Sequence, residues 1–137
     1  MLPRLILYLA IAAVGPATRA AQYECTISRI DFGDEIGIGV KEMFIKQLVG
    51  KALLVDTRDG VMTGVLSNSL FKPPVVLNHG DSENSFVAAT IVSPKSDKGV
   101  VGVDTRIVTI KTWETGNKKP FSLFWDDMLL RGRCVAR

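Results

Sequence analysis

His79, Asp81 and Ser82 bring the three side-chain types of a hydrolase triad into four consecutive positions, and His79 is the chain's one histidine. A triad works by converging a nucleophile, a base and an orienting carboxylate on one point, and its members normally come from separated segments. Neighbours this close rarely converge, so the stretch reads as a polar loop between two strands. Gly37-Ile38-Gly39-Val40-Lys41-Glu42 starts like a dinucleotide-binding loop, but Glu42 stands where the third glycine belongs and no strand–loop–helix unit surrounds it. Asp31, Asp34 and Glu35, and again Asp126-Asp127, are carboxylate clusters. Sugar hydrolysis needs two carboxyl groups facing each other across a cleft, and calcium needs several oxygen ligands at loop spacing. Neither pattern is complete, and the clusters read as solvated loop charge. No catalytic residue, metal site or cofactor is assigned, and the chain is read as a non-enzyme.

The two cysteines, Cys25 and Cys134, are the residues with the clearest chemistry. An even count in an exported chain favours a disulfide, and Cys25–Cys134 is the pairing open to it. Two thiols and a distant histidine fall short of the four ligands of a structural zinc site. A bridge across so long a loop stabilises by roughly 4–5 kcal/mol on the chain-entropy model. Trp113, Phe121, Phe124 and Trp125 are the possible binding residues. They gather around the Glu114–Lys119 turn, where they either line a ligand mouth or protein-binding anchor, or close the end of the core. Lys111, Lys118, Lys119, Arg131, Arg133 and Arg137 thicken toward the C-terminus; a weak contact with an anionic surface is one reading, but acidic residues interleave with them and a soluble surface accounts for them.

The elements that must hold these residues are short strands. Tyr23, Cys25 and Ile27 alternate with polar Glu24, Thr26 and Ser28, the period of a strand with one buried face. The phase slips at Ile30 and Phe32, which predicts a bulge or a strand end near Arg29. Residues 33–40, with three glycines, read as a bent strand or loop. Residues 41–49 suit either a short helix ended by Gly50 or a strand. Residues 51–56 and 61–66 flank Thr57-Arg58-Asp59-Gly60 as a hairpin, because Asp-Gly tolerates the positive φ of a tight reversal. Further strands are expected at 75–77, 86–92, 100–113, 120–125 and 128–135, with a turn over 94–99.

This pattern gives an all-β fold: a small antiparallel barrel or sandwich of about 7–8 strands, with one short helix as an option, closed by one disulfide. Cysteines in the first and last strands make those strands neighbours, which favours a barrel. Ahead of the domain, Arg4, the uncharged run from Leu5 to Val14, the break at Pro16 and Thr18-Arg19-Ala20 make a cleavable export signal. The run is about half the length that spans a bilayer. The expected division is therefore a signal peptide at 1–20 and a single β domain at 21–137, with no stable membrane insertion after cleavage. Loss of Arg4 and Arg19 leaves 15 basic against 14 acidic residues. That balance lacks the dense positive field of a nucleic-acid binder, so no nucleic-acid partner is expected.

Leu54 to Gly64, then Asn84-Ser85-Phe86, Lys119-Pro120-Phe121 and Gly132-Arg133-Cys134, resemble in order a group of small exported bacterial proteins of unassigned function. Those proteins share a Val-Asp-x-x-x-Gly hairpin and a cysteine near each end; here Thr57 replaces the arginine expected after the aspartate. The resemblance implies export and a β fold and transfers no site. Tyr23-Glu24-Cys25 with Cys134 is also similar to the small-barrel periplasmic inhibitors of lysozyme, although the loop those inhibitors insert into an enzyme has no counterpart here. The expected function is an exported binding protein of the bacterial cell envelope, periplasmic or extracellular. Its partner is an envelope protein, which includes a lytic enzyme to be inhibited, or alternatively a small apolar ligand carried inside the barrel.

Overall fold

The computed structural model describes residues 22–69, 72–92, 95–96, 99–100 and 104–137. The expected leader at 1–20 lies outside the described residues, as do positions 101–103 of the strand expected over 100–113 and parts of the 94–99 turn. Strand β1 (Gln22–Phe32) opens the described chain, followed by helix α1 (Ile38–Leu48), β2 (Ala52–Asp56) and β3 (Met62–Gly64). Then come β4 (Val75–His79), β5 (Phe86–Val92), a ribbon of β6 (Lys95–Ser96) with β7 (Gly99–Val100), β8 (Asp104–Ile110), β9 (Lys118–Trp125) and β10 (Met128–Ala136).

Eight strands form one antiparallel sheet in the order β3-β2-β1-β10-β9-β8-β5-β4, curled into a half-barrel. The eight strands make a single sheet and not a stacked pair, so the sandwich alternative falls away. The cysteines do make the first and last strands neighbours, but at the centre of the sheet and not at a closing seam. Cys25 stands directly opposite Cys134 in the β1–β10 ladder, their Cα atoms 3.9 Å apart, and the disulfide joins them across 109 positions of sequence. The two edges of the sheet are β3 and β4.

Alternation fills the concave side. Ile30, Leu130, Leu123, Val108 and Ala88 stand in one row across five strands, and Leu53, Cys25, Cys134 and Lys119 in another. The apolar members of both rows are buried. The expected phase slip is a bulge in a continuous strand: the register to β10 shifts between Ile27 and Arg29, so Ser28 and Arg29 are both exposed before Ile30 turns inward again. The ambiguous segment is helical, and the helix starts earlier than expected, at Ile38 after an N-cap at Gly37 that offers no side-chain oxygen. Residues 38–40 are thus corrected from strand or loop to helix. Leu48 is buried, and Phe44 meets Trp125 edge to face at 5.9 Å. Of the strand expected over 100–113, Val100 pairs in the ribbon, β8 runs over 104–110, and Thr112 and Trp113 lie in a turn.

Between the edges the gap is bridged by a turn and side chains. The β2–β3 turn lies over β4 and β5, where a Cβ built on Gly60 would stand 2.8 Å from that of Ala88. Gly60 also holds φ +79°, so it is required both for its backbone conformation and for space. Buried Asn68, in the β3–β4 connection, accepts from Met62 N–H at 2.8 Å and donates to Gly60 C=O at 2.8 Å.

Candidate binding site

At the end of the half-barrel that carries the 56–61, 79–85 and 111–118 loops, an open cleft of about 360 Å³ lies among Tyr23, Thr57, His79, Asp81, Thr112 and Lys119. Five segments supply these side chains. Tyr23 sits on the inner face of β1, two residues from Cys25, and Lys119 is in register with Cys134, so the disulfide row lies directly beneath the cleft. His79 ends β4, and its Nδ1 lies 3.1 Å from Thr57 C=O. A carbonyl can only accept, so Nδ1 carries the proton and Nε2 is the atom left to accept from a ligand when the ring is neutral.

The loops are tied before any partner arrives. Asp81 Oδ1 accepts from the N–H groups of Glu83 (2.8 Å) and Asn84 (2.7 Å), which folds the 81–84 turn around its carboxylate. Thr112 Oγ1 donates to Asn84 C=O at 3.0 Å, and Trp113 Nε1–H donates to Ser85 Oγ at 3.1 Å. Lys119 Nζ donates to Glu114 C=O. A Cβ on Gly80, at φ +74°, would meet Thr112 Oγ1 at 2.6 Å, so this glycine lets the 111–117 turn close on the 79–85 loop. At the hairpin tip, Arg58 pairs with Asp56 at 2.6 Å and holds that carboxyl down at about 2. The cleft gathers an ammonium, an imidazole and several hydroxyls around one structural carboxylate. These groups can hydrogen-bond a polar or acidic side chain.

The four aromatic residues expected to work together are divided between the two ends and two faces of the sheet. Phe121 is core, 4% exposed. Trp125 lies at the opposite end, half-buried, with the Arg106 guanidinium 4.5 Å above its ring. Phe124 faces outward from β9 and is exposed. Trp113 follows the cleft residue Thr112 without lining the cleft itself, 43% exposed on its tied turn with Lys111 Nζ 5.9 Å from its ring. His79, Asp81 and Ser82 do reach a cleft, but as parts of a loop wall, with Asp81 bound into its own turn. Tyr23, Thr57, Thr112 and Lys119 are cleft residues that sequence reasoning missed. For Lys119 the signal was present, because the inward alternation of Leu123 and Phe121 runs back to it.

At the opposite end, Arg106 turns inward, pairs with Asp104 at 2.8 Å and donates to Ser67 C=O. It thereby fixes the β3–β4 connection to β8. Beside it in register, Thr90 is 2% exposed and its hydroxyl has no hydrogen-bond partner among the described residues. Among the described residues, no group of three or more His, Cys, Asp or Glu side chains is placed to hold a metal ion. Comparison with family models, with curated proteins and with solved structures finds no match to this chain.

Proposed function

We propose that the chain is an exported, non-enzymatic binding protein of the bacterial cell envelope that engages a protein partner with the loop end of its half-barrel. One observation carries the reading: Trp113 is exposed, yet its indole N–H and the neighbouring Thr112 hydroxyl are bonded to the adjoining loop. An anchor aromatic held in place loses little freedom on binding, and tryptophan is the residue type most enriched among binding hot spots. The polar cleft beside it would take an acidic or hydroxylated side chain from the same partner. An inhibitor of a lytic enzyme is one member of this class. The interior speaks for protein recognition over carriage of an apolar ligand, because Phe86, Ala88, Val108 and Ile110, four inward apolar residues of β5 and β8, are packed to 1% exposure or less.

Photo-crosslinking in living cells tests the reading. A photoreactive phenylalanine analogue in place of Trp113 should give an adduct with a discrete protein, recovered in the periplasmic fraction. The same analogue at Lys46, on α1, should give none. In a purified pair, Trp113→Ala should weaken binding by about 2 kcal/mol or more. Equal adducts at both positions, or none at Trp113, would remove the loop end as the recognition surface.

A further inference from the structure

The convex side of the sheet carries a second feature, distinct from the loop end. The β1 bulge turns Ser28 and Arg29 outward together and sets Arg29 directly opposite Arg131 in the β1–β10 ladder. Like charges in facing positions destabilise a sheet. Here a single carboxylate serves both, Asp31 lying 3.2 Å from the Nε atoms of Arg29 and Arg131. Arg133 follows on the same face of β10 and makes no ion pair among the described residues, while Lys111 reaches Glu114 only at 3.9 Å. These four cations border an open groove of about 690 Å³ whose floor includes the small side chains of Ser28 and Ser122. Beyond Arg131 on the same strands runs an apolar row in register, Leu129, Phe124 and Ile107, with Phe124 45% exposed. The described chain as a whole is nearly balanced in charge, so the crowding of cations on this face is not a consequence of composition.

We propose that this convex face docks on the surface of an anionic lipid bilayer, with headgroup phosphates in the Arg29–Arg131–Arg133–Lys111 groove and Phe124 at the acyl boundary. Guanidinium groups present paired N–H donors that match phosphate oxygens. A basic stripe and an apolar stripe side by side reproduce the layering of a bilayer surface, where phosphate and hydrocarbon adjoin. An acidic protein partner would match the basic stripe alone. Docking this way leaves the cleft itself uncovered, because the groove lies on the side of the half-barrel; the two surfaces meet at Lys111, whose Nζ is 5.9 Å from the Trp113 ring.

The test is co-sedimentation of the oxidised, exported protein with vesicles of phosphatidylcholine, with and without phosphatidylglycerol. Partitioning should require phosphatidylglycerol and fall as salt rises from about 0.1 M to about 1 M, where the screening length drops about threefold. Each groove cation removed should cost roughly fivefold, so Arg133→Gln should lower partitioning about fivefold and the Arg131→Gln/Arg133→Gln pair about 25-fold. Lys46→Gln makes the same change in net charge on α1 and should cost less than about twofold. Arg133 makes no ion pair among the described residues, so its substitution leaves the fold intact even if the Arg131 change disturbs Asp31. Phe124→Ser should weaken binding while leaving the salt dependence unchanged. Absence of binding to phosphatidylglycerol vesicles would overturn the proposal, and so would equal losses from Arg133→Gln and Lys46→Gln. Amide shifts at Arg131 and Arg133 with inorganic phosphate, without vesicle binding, would make the groove a site for free anions and overturn the lipid assignment.

Discussion

The β1–β10 junction and the seam between β3 and β4 each bring together parts of the chain that are far apart in sequence, and they do so by different means. β1 and β10 share a ladder from Tyr23–Ala136 to Phe32–Met128, with a covalent bond at Cys25–Cys134. Across the seam, contacts among the described residues include Gly60 against Ala88, His79 on Thr57, and Arg106 on Ser67. A ladder distributes its backbone pairing over many equivalent bonds, although side chains that fill the core (Ile27, Leu130) and Gly132, where a Cβ would overlap the Thr26 carbonyl, remain individually critical. Point contacts give no such redundancy. The candidate cleft is built where the two regimes meet, with Tyr23 and Lys119 standing on the disulfide-bonded rows and Thr57 and His79 on the seam.

The largest effect should come from the covalent part of the junction. Cys25→Ser and Cys134→Ser should each lower the unfolding free energy by a similar amount, up to about 4–5 kcal/mol, since the bridge closes a long loop in the unfolded chain. The double substitution should cost no more than either single one, because both remove the same bond. Denaturant titration of the three variants checks this, and additive losses would show that the two thiols act separately. The sharper form of the comparison is that the ladder survives without the bond. The reduced protein should keep its far-ultraviolet spectrum at low denaturant, while its transition moves to lower concentration.

Next in size is the seam. Gly60→Val asks a β-branched residue to adopt φ near +79° and drives its Cβ into Ala88. Positive φ costs a β-branched residue about 1–3 kcal/mol, and overpacking adds about as much again. A loss of about 3 kcal/mol or more is expected by thermal or denaturant unfolding. The loss should also appear at the cleft, as a change in the His79 ring signals, because the same turn carries the Thr57 carbonyl. A destabilised protein with unmoved His79 resonances would separate the seam from the cleft and break the link drawn between them.

The parts of this structure that local residue types decide were legible in the sequence. The bulge follows from the slipped alternation between Ile27 and Ile30, the β2–β3 turn from Asp59-Gly60, and the disulfide from two cysteines in an exported pattern. The start of α1 was not legible. Ile36, Ile38 and Val40 alternate as a strand would, Gly37 provides no capping side chain, and the inward stripe of Lys41, Phe44 and Leu48 is short. Sheet order was not legible either, since a disulfide between first and last strands fits the middle of a half-barrel as well as the seam of a closed barrel. The four aromatic residues are spread along the sheet because nearness in sequence means distance in a strand. At about 3.3 Å per residue, the eight residues of β9 carry Trp125 some 25 Å from the turn that holds Trp113. The cleft escaped for the opposite reason: its residues come from five segments, and only the register of the sheet brings them together.

The smallest effect expected is at the hairpin tip, and it separates the seam's packing from its charge. Arg58 donates from Nε and Nη2 to Asp56, with contacts of 2.6 to 3.2 Å, and its backbone N–H adds a further bond to Oδ1 at 2.9 Å. These donors lower the Asp56 carboxyl from 3.8 to about 2, first through the side-chain hydrogen bond. A carboxylate depressed in the folded state contributes stability above its unfolded value near 4. That contribution is lost as pH falls through about 2. The Arg58 side chain is solvent-exposed, so the contribution is small, in the range of surface ion pairs. Arg58→Ala should therefore lower the unfolding midpoint slightly at pH 6, and the gap to the unaltered protein should close between about pH 4 and about pH 2. Raised salt should narrow the gap at pH 6 as well. A gap that stayed constant down to pH 2 would mean that Arg58 acts through the shape of the turn, by the same packing that makes Gly60 indispensable, and that charge has no part in holding the hairpin over β4.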